Sequence, residues 1–361
     1  MSPVLFYFFS HKLLYLPSQS KGRDPSLYPT IWGGAIFLRG DAPFGVKPDN
    51  STLTLTSCTF RNNTATSDSG AIDSIGATII ATDTVFSNND SGGIGGAVYT
   101  DGFATFVGCD FIGNTAVDFG GAIFTIGVSA DFDRCKFIGN TATLAGGAIF
   151  SAVETTVMSS TLFKCNSAGF GGALFHGNGQ LSMDEVEVSA NTAIEGGGGG
   201  ILLGGGGTIT SDFNNCRFYQ NRASFGGAIR FDGPDESSTL MTDTVFQSNS
   251  AVNSTSDDIS NSNSTVACNG NCFCDANNSN GISTNVLPTT CAGDGVGSTC
   301  PGCNPPAAPF VCDGDNGSLG AATGVVTRAG GNSPPTMDIE EMMTNSMEMI
   351  ERKRSGQNRR H

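Results

Sequence analysis

The chain has little charge. Only 14% of its 361 residues are Asp, Glu, Lys or Arg, against about 25% in average proteins. Basic side chains are the scarcer kind: 18 Lys and Arg stand against 33 Asp and Glu, for a formal charge of −15. Residues 33–265 alone hold 23 acids and 9 bases. An acidic surface of this kind excludes nucleic acid and anionic membranes as partners. Long apolar runs are also missing. The best, Val4-Leu5-Phe6-Tyr7-Phe8-Phe9, is interrupted by His11 and Lys12 and has no basic residue before it. It is far too short to span a bilayer and makes a poor signal peptide, so no transmembrane segment is expected in this chain. Helix-period patterning is absent from the middle of the sequence, as is Leu at fixed short spacings, which excludes helical and leucine-rich repeats.

What is present is a repeat. Gly-Gly-Ala-Ile or a near variant begins at Gly33, Ser69, Gly95, Gly120, Gly146, Gly171 and Gly226. Interleaved with it are Phe-x-x-Asn boxes, Phe60…Asn63, Phe86…Asn89, Phe111…Asn114, Phe137…Asn140, Phe163…Asn166, Val188…Asn191, Phe218…Asn221 and Phe246…Asn249. Successive boxes lie 26, 25, 26, 26, 25, 30 and 28 residues apart. A period of this size marks a solenoid whose units bury their apolar faces only by stacking.

Aligning the boxes shows columns. Five residues before the Phe/Val position stand Leu55, Ala81, Phe106, Phe132, Met158, Met183, Phe213 and Met241. Two before it stand Cys58, Thr84, Cys109, Cys135, Thr161, Val186, Cys216 and Thr244, and five after it stands Ala or, once, Ser91. The spacing predicts three short strands per unit: one at Gly-Gly-Ala-Ile, one ending at the minus-five residue, and one carrying Cys/Thr-x-Phe. That is a right-handed parallel β-helix, all-β, with about 26 residues per coil. The 50 glycines suit its tight corners. Phe60, Phe86, Phe111, Phe137, Phe163, Val188, Phe218 and Phe246 are read as a core stack. Asn63, Asn89, Asn114, Asn140, Asn166, Asn191, Asn221 and Asn249 are read as a ladder, because an amide carries donors and an acceptor and can satisfy buried turns from coil to coil. At about 4.8 Å per coil, the rod is roughly 40 Å long.

These two boxes, in this order and period over about residues 33–259, resemble the repeat of the chlamydial polymorphic outer membrane proteins, within the pectin-lyase-like superfamily. Even Ser256-Asp257-Asp258-Ile259 reads as a degenerate Gly-Gly-Ala-Ile. The resemblance implies an exposed β-helix that is secreted or on the cell surface, associated with the outer membrane if bacterial, and used as an adhesin. In that family an outer-membrane barrel follows the β-helix. After residue 265 no series of alternating strands of about ten residues is found, so only the β-helix is carried over.

The domain reading is 1–32 as an irregular apolar segment, 33–265 as β-helix, 266–312 as a Cys-rich module and 313–361 as linker and tail, with a short helix at 338–354. No cap is recognised before Gly33, which reads as a fragment of a longer protein or a mispredicted start. Five of the 12 cysteines lie in repeats: Cys58, Cys109, Cys135, Cys165 and Cys216. Cys109 and Cys135 share a column, as a disulfide or as stacked free thiols. Cys268, Cys272, Cys274, Cys291, Cys300, Cys303 and Cys312 crowd the module and are read as disulfide candidates, with zinc as the rival. Seven is odd, so one is left to stay free, to pair with Cys216, or to pair with another chain. Asn-x-Ser/Thr sequons at Asn50, Asn62, Asn89, Asn253, Asn263, Asn277 and Asn316 fit secretion.

For chemistry the sequence offers little. Asp257-Asp258 is the only Asp-Asp pair, His176 the only histidine inside the repeats, and Arg134-Cys135-Lys136 an Arg-x-Lys whose bases point outward. No catalytic, cofactor-binding or metal residue is assigned, and weak Ca²⁺ binding is the one cofactor allowed for. Asp131 and Asp133 are expected beside Thr105 and Val107, and Asp184, Glu185 and Glu187 beside neutral residues around Thr210–Phe213. The Gly-rich stretch around Ile201-Leu202-Leu203 is either a partner-binding loop or, preferably, a strand with Ile201 in the Ala-Ile slot. The resulting reading is a non-catalytic surface protein with a protein or glycan ligand. The alternative is a polysaccharide lyase or hydrolase.

Overall fold

The computed structural model describes residues 14–15, 34–39, 51–234, 236–252, 258–261, 264–274 and 295–296. The expected 266–312 module, its remaining cysteines and the 313–361 tail with its helix therefore lie largely or wholly outside the described residues. The described chain is an all-β solenoid of eight full coils with parallel pairing between coils throughout, and no helix occurs among the described residues.

Each coil contributes to three sheets, of 17, 10 and 8 strands. The first holds the strand that follows Gly-Gly-Ala, such as Ile72–Ile75 or Val98–Thr100, and also the next strand, such as Thr78–Thr82 or Phe103–Val107. In two coils these fuse into one 11-residue strand, Ile123–Asp133 and Ile149–Ser159. The second sheet runs from Thr59–Arg61 through Lys136–Ile138 to Val245–Gln247 and Cys272–Phe273. The third consists of two-residue strands, from Thr64–Ala65 to Ser250–Ala251. Two of the three strands expected from sequence thus belong to one sheet. The third sheet is formed by the two residues after each Asn, Thr-Ala in four of the eight coils, a strand that the spacing does not predict.

Register explains the columns. Phe111 pairs with Phe86 on one side and Phe137 on the other, and their rings stack at centroid spacings of 4.8 Å. Phe106 and Phe132 stack at 5.5 Å and meet the first stack edge-on, an arrangement favoured by the ring quadrupole. Hydroxyl and thiol alternate freely in the Cys/Thr column because both donate to the carbonyl two residues back: Thr161 Oγ1 to Ser159 at 2.9 Å, Cys216 Sγ to Asn214 at 3.3 Å.

The Asn residues meet head to tail. Nδ2 of Asn63, Asn89, Asn114, Asn140, Asn166, Asn191 and Asn221 donates to Oδ1 of the next Asn at 2.8–3.0 Å. From Asn89 on, Nδ2 also donates to the carbonyl of the Phe or Val column one coil earlier, as Asn140 does to Phe111 at 3.0 Å. The row stops at Asn249, whose Nδ2 donates to Asp258 Oδ1 at 2.9 Å.

The two glycines of the motif have different duties. The first, in Gly95, Gly120, Gly146, Gly171, Gly198 and Gly226, holds φ between 56° and 70°. The second is pressed against the next coil: a Cβ on Gly96 would lie 2.0 Å from the Gly121 carbonyl oxygen. Two further corners per coil take the left-handed conformation, mostly without glycine. One series includes Ser57, Asp83, Arg134, Ser160 and Glu185; the other includes Asn62, Asn88, Cys165, Ala190, Gln220 and Ser248. Each such residue costs roughly 1–2 kcal/mol, and the ladders on both sides hold it there.

Candidate functional surface

The lumen accounts for the recurrent residues, and it also holds groups that sequence spacing did not assign to it. Ser74, Thr100, Thr125, Ser151 and His176 stand in register on successive coils and are completely buried. Ser151 Oγ bonds Thr156 Oγ1 at 2.9 Å. Ser74 Oγ, Thr125 Oγ1 and both His176 ring nitrogens have no hydrogen-bond partner among the described residues. Burial pushes the His176 pKa down to about 4, opposed by the nearby Gly179 backbone, which approaches the ring without reaching hydrogen-bond geometry. A sealed, neutral imidazole of this kind is out of reach of any substrate.

Three carboxylates are buried in a stretch that the sequence reading missed. Asp68, Asp73 and Asp101, on adjacent coils, are 1%, 1% and 8% exposed. Burial first, and then the Asp101 charge, raise the Asp73 pKa well above the usual carboxylate range. Asp101 accepts from the Gly76 amide. Asp68 and Asp73 sit where later coils carry apolar pairs: Ile94 with Tyr99, Phe119 with Phe124, Ala145 with Phe150. Those pairs form a second apolar cluster outside the lumen, with Phe124, Phe150 and Phe175 stacked at 4.8 Å. The sequence signal was the aromatic directly after Ala-Ile, which breaks strand alternation and so requires both faces to be covered.

The other candidate groups are dispersed. Asp131 lies between Thr105 and Val157, and Asp133 between Val107 and Ser159. Asp184 faces Asn214, and Glu187 faces Arg217 rather than a neutral residue as expected. Tyr219 Oη donates to Glu187, and burial followed by that carboxylate pushes the phenol up to about 12. Arg134 pairs with Asp133, and Lys136 with Asp110 at 3.6 Å. Asp258, half of the expected acidic pair, is buried and ends the Asn row. Among the described residues no group of three or more His, Cys, Asp or Glu is placed to hold a metal ion.

Ile201, Leu202 and Leu203 are at most 2% exposed and form a strand, with Ile201 paired to Leu174 and Ile229. Gly197 leaves room for Arg230, whose guanidinium lies 5.4 Å from the Phe225 ring centroid and bonds Asp232 at 2.8 Å. Cys58, Cys109, Cys135 and Cys216 are buried free thiols, so neither a Cys109–Cys135 bridge nor a Cys216 bridge to the tail is present. The Cys109 thiol and burial keep Cys135 protonated, and burial pushes Cys216 up to about 12.

What remains accessible is the outside of the rod. On the first sheet one outward column reads Thr52, Thr78, Phe103, Ser129, Thr155, Gln180, Thr210, Ser238 and Thr265. The column beside it reads Thr54, Ile80, Thr105, Asp131, Val157, Ser182, Asp212 and Leu240. Ile80, Val157 and Leu240 there are 38%, 39% and 44% exposed. This is a broad face of hydroxyls with scattered apolar and acidic groups, differing from coil to coil.

The fold and this face define a parallel β-solenoid with a variable exterior, and comparison with known proteins shows what its repeat is similar to. The Chlamydia polymorphic membrane protein repeat matches residues 83–101, 108–126 and 134–152. A relative described as "Probable autotransporter YfaL", from Escherichia coli (strain K12), is 41% identical over 107 residues, 26% of this chain and 8% of that protein. The chain thus spans only a small part of that relative's length. No solved structure matches it significantly. Both similarities point to the outer membrane or cell surface as its location, and no described helix is long and apolar enough to cross a membrane.

Proposed function

We propose that this protein is a non-catalytic surface adhesin or surface-structural rod that engages a protein or glycan through the broad outward face of its first sheet. One observation carries the reading. The recurrent residues point inward, where stacking and hydrogen bonding use them, whereas the outward columns change identity at almost every coil. A surface of this kind suits recognition over area, in which a few exposed apolar and polar groups fix the partner. The similarity to an autotransporter and the repeat family support the same assignment.

A polysaccharide-cleaving activity is the rival. Hydrolysis requires two carboxylates about 5–9.5 Å apart across an open groove, whereas Asp68 and Asp73 are shut away from solvent. The test is glycan-array and cell binding of the full chain, run beside uronate release from polygalacturonate and alginate. Saturable binding that Val157→Glu with Leu240→Glu abolishes, without turnover, is the expected result. Turnover that disappears when one carboxylate is replaced would overturn it.

A further inference from the structure

The apolar seam outside the lumen ends in a charge. Along it Tyr99, Phe124, Phe150, Phe175 and Leu202 stand in register on successive coils, and Arg230 holds the next place. The residue five positions earlier lies against its seam member, Phe119 against Phe124 and Phe225 against Arg230. Leu202 has Gly197 in that position, and the missing side chain leaves a notch. A Cβ on Gly197 would lie 2.0 Å from Arg230 Cδ, and one on Gly196 would lie 2.1 Å from Phe170 Cε1. The Arg230 stem and the Phe170 ring therefore rest side by side on bare Gly196–Gly197 backbone. Phe225, bridged to Gly197 from the next coil, is 37% exposed, with its ring centroid 5.4 Å from the guanidinium.

A guanidinium carries five N–H donors. Among the described residues Arg230 gives one, from Nη2 to Asp232 at 2.8 Å, and its buried Nε has no partner. The side chain remains 21% exposed, so a ligand can reach the fork. The fold does not call for a charge here, since the coils before it fill the same position with apolar side chains. The chain also changes sign around it. Residues 213–231 hold Arg217, Arg222 and Arg230 and no acid, in a protein of net charge −15. We infer that Phe170, Phe225 and Arg230 form a binding site for an acidic sugar, a pyranose ring that bears a carboxylate. This inference rests on the reading of the rod as a ligand-binding surface and names the ligand's chemistry. The carboxylate takes donors that Asp232 leaves, in charge-assisted hydrogen bonds. The C–H face of the ring lies on the electron-rich faces of Phe225 and Phe170. An acidic peptide offers the charge, but it loses more freedom on ordering than a rigid sugar ring does. Asp232 holds the fork in place and competes with the ligand for it.

The experiment is equilibrium binding of the full chain to fluorescent trigalacturonate and to sialyllactose, each beside its uncharged counterpart, the carboxyl-reduced trisaccharide and lactose. Expected is saturable binding of at least one acidic sugar, weakened about tenfold when the carboxylate is absent. Arg230→Gln weakens it by about the same factor, and Phe225→Leu by about threefold. Asp232→Asn releases the guanidinium from its partner and tightens binding about threefold. Urea midpoints show which variants keep the fold; should Arg230→Gln lose it, Asp232→Asn and the uncharged sugars decide. Saturable binding of neither acidic sugar, equal affinity for the uncharged counterparts, displacement by poly-glutamate at equal monomer concentration, or unchanged affinity in Asp232→Asn would overturn the site. Sugar binding unchanged in Arg230→Gln but lost in Val157→Glu with Leu240→Glu overturns the site and leaves the surface reading standing. Trigalacturonate binding lost in Arg230→Gln, with uronate released by the wild type, supports the site and overturns the non-catalytic reading.

Discussion

Two polar seams run inside this rod, and they differ in how well they are satisfied. The Asn seam gives nearly every donor an acceptor one coil away, at 2.8–3.1 Å. The seam from Ser74 to His176 has the same axial register, yet Ser74, Thr125 and His176 carry polar atoms with no partner among the described residues. The difference lies in how the side chains turn. An amide spans the coil spacing with its two ends, whereas the hydroxyls of this column do not turn to meet one another, although Ser211 and Thr239 on later coils do so at 2.6 Å. Register alone does not make a ladder; the side chains must also turn to meet.

The comparison breaks first if the Asn seam proves dispensable. Asn140→Ala leaves the Asn114 backbone N–H, one Asn114 amide hydrogen and the Phe111 carbonyl without partners. The expected loss is about 3–5 kcal/mol, read as a fall in urea midpoint at constant slope; a loss under about 1 kcal/mol would show that solvent rescues the seam.

The second seam should show itself through pH. Unfolded, His176 has the ordinary value of 6.5; folded, burial holds it at about 4. Between these values the unfolded chain binds the extra proton, so stability is intact above about pH 6.5 and falls as the pH drops towards 4. The total is about 3 kcal/mol. Asp73, raised by burial and by Asp101, acts in the opposite direction, so the effect is to be measured as wild type against His176→Leu between pH 7 and pH 4.

The same substitution sharpens the comparison at neutral pH. Leu203 already fills this column one coil later, and His176→Leu should stabilise by about 1–2 kcal/mol. A destabilised His176→Leu variant would mean that the imidazole is satisfied after all. The smallest effect belongs to the end of the Asn row: Asp258→Ala should cost about 1 kcal/mol and Asp258→Asn less, because an amide oxygen still accepts from Asn249.

Much of this was legible because a solenoid writes each contact many times. Phe111, Cys109 and Asn114 recur at one period, and one-dimensional stacking places equal residues side by side. What escaped was whatever occurs once or breaks the column. Asp68 and Asp73 occupy positions that are apolar in the following coils, so no repetition announced them. His176 was visible as a residue, but its face was not, since the strand at Leu174–His176 is buried on both sides.

The Asn row also has a direction. Along the row one Nδ2–H of each Asn points toward the later coil and its Oδ1 toward the earlier one, while the second Nδ2–H serves a carbonyl of the earlier coil. Eight amides thus align as a single row of dipoles, each polarising the next, with its positive end at Asn249. A carboxylate, Asp258, sits on that end, much as an acidic side chain sits at the start of a helix. The rod is electrically polar along its length, and a coil stacked in reverse would set two donors or two acceptors face to face. Assembly is therefore one-way.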